Sequence, residues 1–312
     1  LSWKGLTVDL IPLLSGPLKT AVYAYLKETG SLPFWGQMAS LYRDIGRKLK
    51  GSFVNNGSLS VKKTLTNLPD YRLTPIGQLS FKKEAAGKLR VFAMVDPWTQ
   101  SILAPLHDSL FRILRNLPND GTMDQEAAFA RAQQKAVSSG CCYGYDLSAA
   151  TDRLPIDIQV SILVSLTKSE VLGKAWKHLL VSRPYAVPKN GFDLAPTPVG
   201  SGLYYSVGQP MGALSSWAML AITHHMVMQY CSRIEYPIGS RLRGWEDRYE
   251  VLGDDIVIFD PRLASRYLKV LAALGVPVNE SKSVVTLVSS SHKVVEFAKR
   301  TSVDGVDCSP LS

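Results

Sequence analysis

The sequence predicts an α+β fold in which helices pack on one face of an antiparallel sheet. Three observations predict it. From residue 141 onward the elements read strand, helix, helix, hairpin, helix, strand. Two β-prone runs, Glu250 to Leu252 and Ile256 to Phe259, flank Gly253-Asp254-Asp255 as a hairpin would. The chain has 312 residues, 46% apolar and 20% charged, enough for a sizeable core in one to two domains, which excludes a disordered polymer.

The elements follow in chain order. Residues 51–80 are rich in Gly, Ser, Asn and Pro and read as loops. Lys82 to Val91 is a basic, hairpin-like run. Asp96 is the N-cap of a helix with Pro97 in its first turn, and Ile102, Leu103, Leu106, Leu110 and Leu114 give it an apolar face. Pro105 lies inside that run, where a proline bends a helix. Cys141 to Tyr145 is a short strand ending at Asp146. After Pro155 a helix carries Ile158, Ile162, Leu163 and Leu166. Residues 181–207 read as strands and turns. Ser215 or Ser216 opens an apolar helix to about Tyr230. Leu263, Tyr267, Leu268, Leu271 and Leu274 form a helix that Gly275 stops. Short strands follow over Ser283 to Val288 and Val294 to Phe297.

Charge adds a functional constraint. The net charge is +9, and residues 43–115 hold 13 Lys/Arg against 5 Asp/Glu, whereas residues 116–312 hold 19 of each. The basic excess sits in one N-terminal third, as a phosphate-bearing partner requires; a merely solvated basic surface is the plainer alternative. No stretch approaches 18 uninterrupted apolar residues, so a membrane span is excluded. The four cysteines fit neither a disulfide framework nor a metal site, so a reducing compartment is expected. The chain starts at Leu1 with no signal-like segment, and reads as a cut end.

The chemistry gathers around carboxylates. Two adjacent acids in the Gly253-Asp254-Asp255 turn repel each other unless a cation neutralises them, and Mg²⁺ takes such hard oxygen ligands together with substrate phosphates. An Asp-rich turn without function is the competing reading. Asp146 ends a strand within Tyr145-Asp146-Leu147-Ser148-Ala149-Ala150-Thr151-Asp152-Arg153. A strand end beside a hairpin turn can supply ligands to two ions about 3.5–4 Å apart, the spacing that stabilises both oxygens of an in-line phosphoryl displacement. Asp152, six residues on, could face a nucleotide's sugar, or cap a helix and pair with Arg153. Gly208-Gln209-Pro210-Met211-Gly212 leads to Ser215 and Ser216 at a helix start, where free backbone N–H groups and hydroxyls suit a phosphate or a templating strand. His224 and His225, on that helix, read as residues that pack or contact solvent rather than bind metal. Within the basic run that starts at Lys82 and Lys83, alternating Lys88 and Arg90 on one strand face would present cations to a common target such as a triphosphate. Lys282, in a later loop, is either a general acid for a leaving pyrophosphate or a surface lysine.

As an ordered set these segments resemble the polymerase motifs lettered F, A, B, C, D and E: Lys82–Arg90, Asp146–Asp152, Gly208–Ser216, Gly253–Asp255, Asn279–Ser283 and Glu296–Arg300. The nearest likeness is to the mitovirus RNA-dependent RNA polymerases, over roughly residues 75 to 300, and RNA-phage replicases are similar at the first Asp motif. The resemblance implies a right-hand polymerase fold with an RRM-like palm sheet: fingers over 1–135, palm over 136–300 with an inserted fingers segment at about 167–207, and the start of a truncated thumb over 301–312. It implies Mg²⁺ or Mn²⁺ on Asp146, Asp254 and Asp255, nucleotide contacts from Lys88, Arg90, Asp152, Arg153, Ser215 and Ser216, and RNA contacts from Lys82, Lys83, Gly208, Gln209 and Gly212. Lys282 is then the general acid.

The partners implied are an RNA template, the RNA product and NTPs, in mitochondria. Two features depart from the pattern. The slot on the motif B helix where many viral polymerases carry Asn is Leu220, and few residues follow Arg300. A copy integrated in a plant mitochondrial genome would be shortened in this way. A non-catalytic RNA-binding remnant and a reverse transcriptase are the alternatives. The second is disfavoured because Ala149, Ala150 and Thr151 offer no aromatic gate after Asp146.

Overall fold

In the computed structural model, residues 13–14, 18–55, 77–83, 89–187, 202–236 and 244–309 are described. Their principal elements are helices α1 (Lys19–Glu28) and α2 (Leu32–Asn55), strands β1 (Gly77–Lys83) and β2 (Leu89–Met94), and helices α3 (Pro97–Arg115) and α4 (Gln125–Ser139). Strand β3 (Cys142–Asp146), helices α5 (Ala150–Arg153), α6 (Ile156–Thr167) and α7 (Glu170–Val181) and strand β4 (Tyr185–Ala186) come next. The chain continues through α8 (Ser216–Glu235), β5 (Tyr249–Leu252), β6 (Asp255–Ile258), α9 (Pro261–Leu274), a 3₁₀ turn at Glu280–Lys282, β7 (Val285–Thr286), β8 (Val294–Phe297), β9 (Arg300–Val303) and β10 (Val306–Asp307). The expected loop over 51–80 is helical as far as Asn55 and a strand from Gly77, because α2 continues and β1 pairs with β2; residues 56–76 lie outside the described residues.

By contact the chain divides into two units, each built from two stretches. The first holds residues 1–104 and 156–214, the second 105–155 and 215–312. In the first unit β1 pairs antiparallel with β2 and parallel with β4, and α7 packs against both α1 and α6. Asp96 caps α3 by accepting from Thr99 N–H at 2.9 Å, as its place before Pro97 predicts. Its other oxygen accepts from Arg183 Nη1 at 2.6 Å, and both side chains are buried. Such a pair holds only when the remaining donors are also met. Here Arg183 also donates to Thr99 Oγ1 and to the Leu179 carbonyl.

The second unit carries an antiparallel sheet in the order β5-β6-β3-β7. Side chains alternate across a strand, so Tyr145, Val251, Ile256 and Ile258 face one side and Cys142, Val257 and Phe259 the other. The first side packs against Leu220, Val227 and Met228 of α8 and Leu263, Tyr267 and Leu271 of α9. The second is covered by Ala128, Phe129, Ala132 and Ala136 of α4 and by Val295 and Phe297 of the β8–β9–β10 hairpins. Gly275 closes α9 at φ +71° as the sequence predicts, and Asp260 caps its start, its side chain accepting from the N–H groups of Arg262 and Leu263.

Candidate active site

Register brings the acids together. In the β3–β6 ladder Asp146 is the partner of Asp255, so the last residue of one strand stands opposite the first of the next. Counting by twos places both on the face of Cys142 and Val257, beneath the β8–β9 hairpin. Like charges directly opposite destabilise a ladder. Gly253 and Asp254 form the two-residue loop from β5 to β6, and Gly253 takes φ +63°, a region glycine enters without strain.

The hairpin tip reaches the same acids. Asp255 Oδ2 accepts from the N–H of Ala298 at 2.8 Å, in a turn where Ala298 and Lys299 have φ +54° and +62°. Burial pushes the Asp255 carboxyl up to about 7; the Ala298 N–H opposes that, and the charges of Asp254, Asp146 and Glu296 add to it. Asp146 is 45% exposed, its carbonyl accepts from Asn279 N–H at 2.8 Å, and Lys282 Nζ lies 3.7 Å from its Oδ2. Asp152 and Arg153 are exposed on the short helix α5, entered through Ala149 at φ +52°.

Other expected residues are placed differently. Ser215 sits at φ +72° as the residue before α8, with its N–H donated to His107 Nδ1 at 3.1 Å. Ser215 and Ser216 are both buried, so neither hydroxyl stands on an open surface. The loop amides expected to be free for a phosphate have acceptors within the chain. Gly212 N–H donates to Ala93 O, Ala213 N–H to Pro210 O and Leu214 N–H to Gln100 Oε1. Gly212 is a glycine for another reason: a Cβ there would stand 2.3 Å from Ala93 O. Gly208 and Gln209 are buried, and Gln209 donates to Gln159 Oε1 at 2.6 Å. Lys82 and Arg90 are cross-strand partners in β1 and β2, and with Lys83 they are exposed; Lys88 lies outside the described residues.

Two residues of α8 meet the turn, a role that was not read from the sequence for either. Trp217 lies on Gly253, and His224 Nδ1 is 2.8 Å from the Gly253 carbonyl oxygen. Of packing and solvent contact, His224 and His225 take the first, since both are buried. The available signal was the seven-residue step from Trp217 to His224, which puts both on one helix face.

The profile of the mitovirus RNA-dependent RNA polymerase family matches residues 11–312. This chain belongs to that family. It is 41% identical over 231 residues to the RNA-directed RNA polymerase of Cryphonectria parasitica mitovirus 1 (strain American chestnut tree/New Jersey/NB631), a match covering 73% of this chain and 26% of that protein. The chain therefore spans about a quarter of the mitovirus polymerase. An uncharacterized mitochondrial protein of Arabidopsis thaliana is 33% identical over 206 residues, covering 64% of this chain and 74% of that protein. A second is 32% identical over 177 residues, covering 55% and 78%.

Among solved structures, the RNA-dependent RNA polymerase of a human picobirnavirus (an insertion-loop deletion mutant) matches with a TM-score of 0.51 at 18% identity, over 75% of this chain and 46% of that one. Candida albicans telomerase matches with a TM-score of 0.51 at 11% identity, over 77% and 47%. These two are likenesses of fold, the mixed α+β right-hand polymerase fold that this mitovirus-family chain shares. No helix among the described residues is long and apolar enough to cross a membrane.

Proposed function

We propose that this chain carries the palm of an RNA-dependent RNA polymerase and performs template-directed nucleotidyl transfer. A 3′-hydroxyl attacks the α-phosphate of an NTP, the new phosphodiester forms, and pyrophosphate leaves. One observation carries the reading: Asp146 and Asp255 face each other across a ladder with Asp254 in the adjoining tight turn, an arrangement that costs stability and gains from a cation.

The donors fit Mg²⁺ or Mn²⁺, because all are carboxylate oxygens. Among the described residues no three His, Cys, Asp or Glu side chains are gathered as a ready metal cage. Mg²⁺ is usually held by one or two carboxylates and completed by substrate phosphates. Such ions would be held by Asp146 and Asp254, with Asp255 beside them, and would supply charge neutralisation at the reacting phosphate. Lys282, already beside Asp146, gives a proton to the departing pyrophosphate. Asp152 and Arg153, exposed just past β3, take the ribose and phosphates of the nucleotide. The opposed cations Lys82 and Arg90, with Lys83 and Lys88, bind RNA and triphosphate. Ser215 and Ser216 act by shaping the start of α8, and Gly208, Gln209 and Gly212 by fixing the loop before it. We assign fingers to residues 1–135 and about 167–207, palm to 136–300 and a thumb start to 301–312, working in mitochondria.

Nucleotide incorporation on an RNA template with Mg²⁺, by this sequence within a polymerase-length chain, tests the reading. Asp254→Ala abolishes incorporation; undiminished incorporation refutes the metal assignment. A preference for dNTPs would favour reverse transcription, and salt-dependent RNA binding without incorporation would favour a non-catalytic remnant.

A further inference from the structure

The turn that bears Asp254 is held from both faces of its sheet. On one face Ala298 N–H binds the Asp255 carboxylate. On the other, helix α8 meets Gly253 at two points. A Cβ on Gly253 would lie 2.3, 2.4 and 3.0 Å from Cη2, Cζ2 and Cζ3 of Trp217, so the six-membered ring occupies the space a side chain would need. Two helical turns on, His224 Nδ1 lies 2.8 Å from the Gly253 carbonyl oxygen. A carbonyl only accepts, so Nδ1 carries the proton. Nε2 then accepts from the Tyr267 hydroxyl at 2.6 Å. Burial favours the neutral imidazole this pattern needs, pushing its pKa down to about 4. Tyr267 stacks on His224 at 5.7 Å and on Tyr145 at 5.9 Å, anchoring the chain of bonds in the sheet core.

These contacts have one geometric effect. The Gly253–Asp254 peptide is planar, so fixing the Gly253 Cα and its carbonyl fixes the plane from which Asp254 departs. With a two-residue loop, what remains between β5 and β6 is the set of Asp254's own torsions. Trp217 is 40% exposed at this position, so its ring covers Gly253 from the solvent side.

We propose that Trp217 and His224 are positioning residues that clamp Gly253 and so present the Asp254 carboxylate to a divalent cation. The inference rests on the metal reading above and adds the residues that set its geometry. Polar groups that orient a metal ligand typically contribute about 10–100-fold to metal affinity.

The test is Mn²⁺ affinity by isothermal titration calorimetry on the 312-residue chain, paired with thermal melting and run well below every variant's melting temperature. His224→Ala weakens Mn²⁺ binding about tenfold. His224→Asn, which keeps an N–H near the Nδ1 position, restores most of it. Trp217→Phe, whose shorter ring does not reach Gly253, weakens binding severalfold with little change in melting temperature. It also keeps the test decisive should His224→Ala fail to fold. Asp254→Asn separates the two levels. If it loses Mn²⁺ binding while Trp217→Phe and His224→Asn match the unmodified chain and His224→Ala, where folded, only melts earlier, the clamp is overturned and the metal reading stands. If Asp254→Asn binds Mn²⁺ as the unmodified chain does, both fall.

Discussion

Among the described residues two ladders oppose like charges, with opposite signs. Asp146 faces Asp255 across β3 and β6, and Lys82 faces Arg90 across β1 and β2. The acidic pair lies at the edge of a packed core, with Asp255 bonded to a hairpin backbone and its carboxyl lifted to about 7 by burial. The basic pair stands on exposed strand ends, where water screens it. The same repulsion is therefore costly in one place and cheap in the other. A fixed, costly arrangement suits positioned chemistry; a solvated one suits long-range attraction of a polyanion.

The sharpest way to break the comparison is to neutralise each pair in turn. Asp146→Ala lowers incorporation by more than about a hundredfold, the scale of losing a preorganised electrostatic group, while Lys82→Gln lowers it only severalfold and mainly through RNA affinity; steady-state incorporation kinetics read both. The next effect belongs to the acidic unit alone. His224 has a folded pKa below its usual value, so its contribution is complete above pH 6.5 and is lost as pH falls toward 4. At about 1.4 kcal/mol per unit this is about 3 kcal/mol. Chemical denaturation at pH 7 and pH 4.5 shows it as a difference that His224→Asn removes.

Smaller still, Asp255→Asn relieves burial of a charge while keeping an oxygen for Ala298 N–H. It raises stability by about 1 kcal/mol, whereas Arg90→Gln stays within about 0.5 kcal/mol of the unmodified chain; parallel melting curves measure both. Last, Lys82→Gln and Arg90→Gln each reduce the salt slope of single-stranded RNA binding by about 0.7, which filter binding across a salt series reports.

Much of this was legible in the sequence. The hairpin around Gly253 follows from β-prone runs on either side, and α9 from its apolar period and terminal glycine. The apolar period of α6 was only a partial guide: of Ile158, Ile162, Leu163 and Leu166, Leu163 alone is buried, beside Ile156 and Gln159. A helix apolar on most sides offers no stripe to choose. The acids could be listed but not paired, because Asp146 and Asp255 meet through a register 109 positions apart in sequence. The loop before α8 was misjudged for the same reason. Its amides are spent on Ala93 and Gln100, far upstream, and no local pattern records that. The sequence does not choose between packing and solvent contact for His224, and its bond to a backbone carbonyl leaves no trace in residue type.

The two-residue connection between β5 and β6 also constrains how this gene can vary. Adding or deleting one residue there would turn every following side chain of β6 to the opposite surface, sending Asp255 away from Asp146 and exposing Val257 to the wrong neighbours. Substitutions in this hairpin leave the register of Asp146 with Asp255 in place, while a one-residue slip removes it.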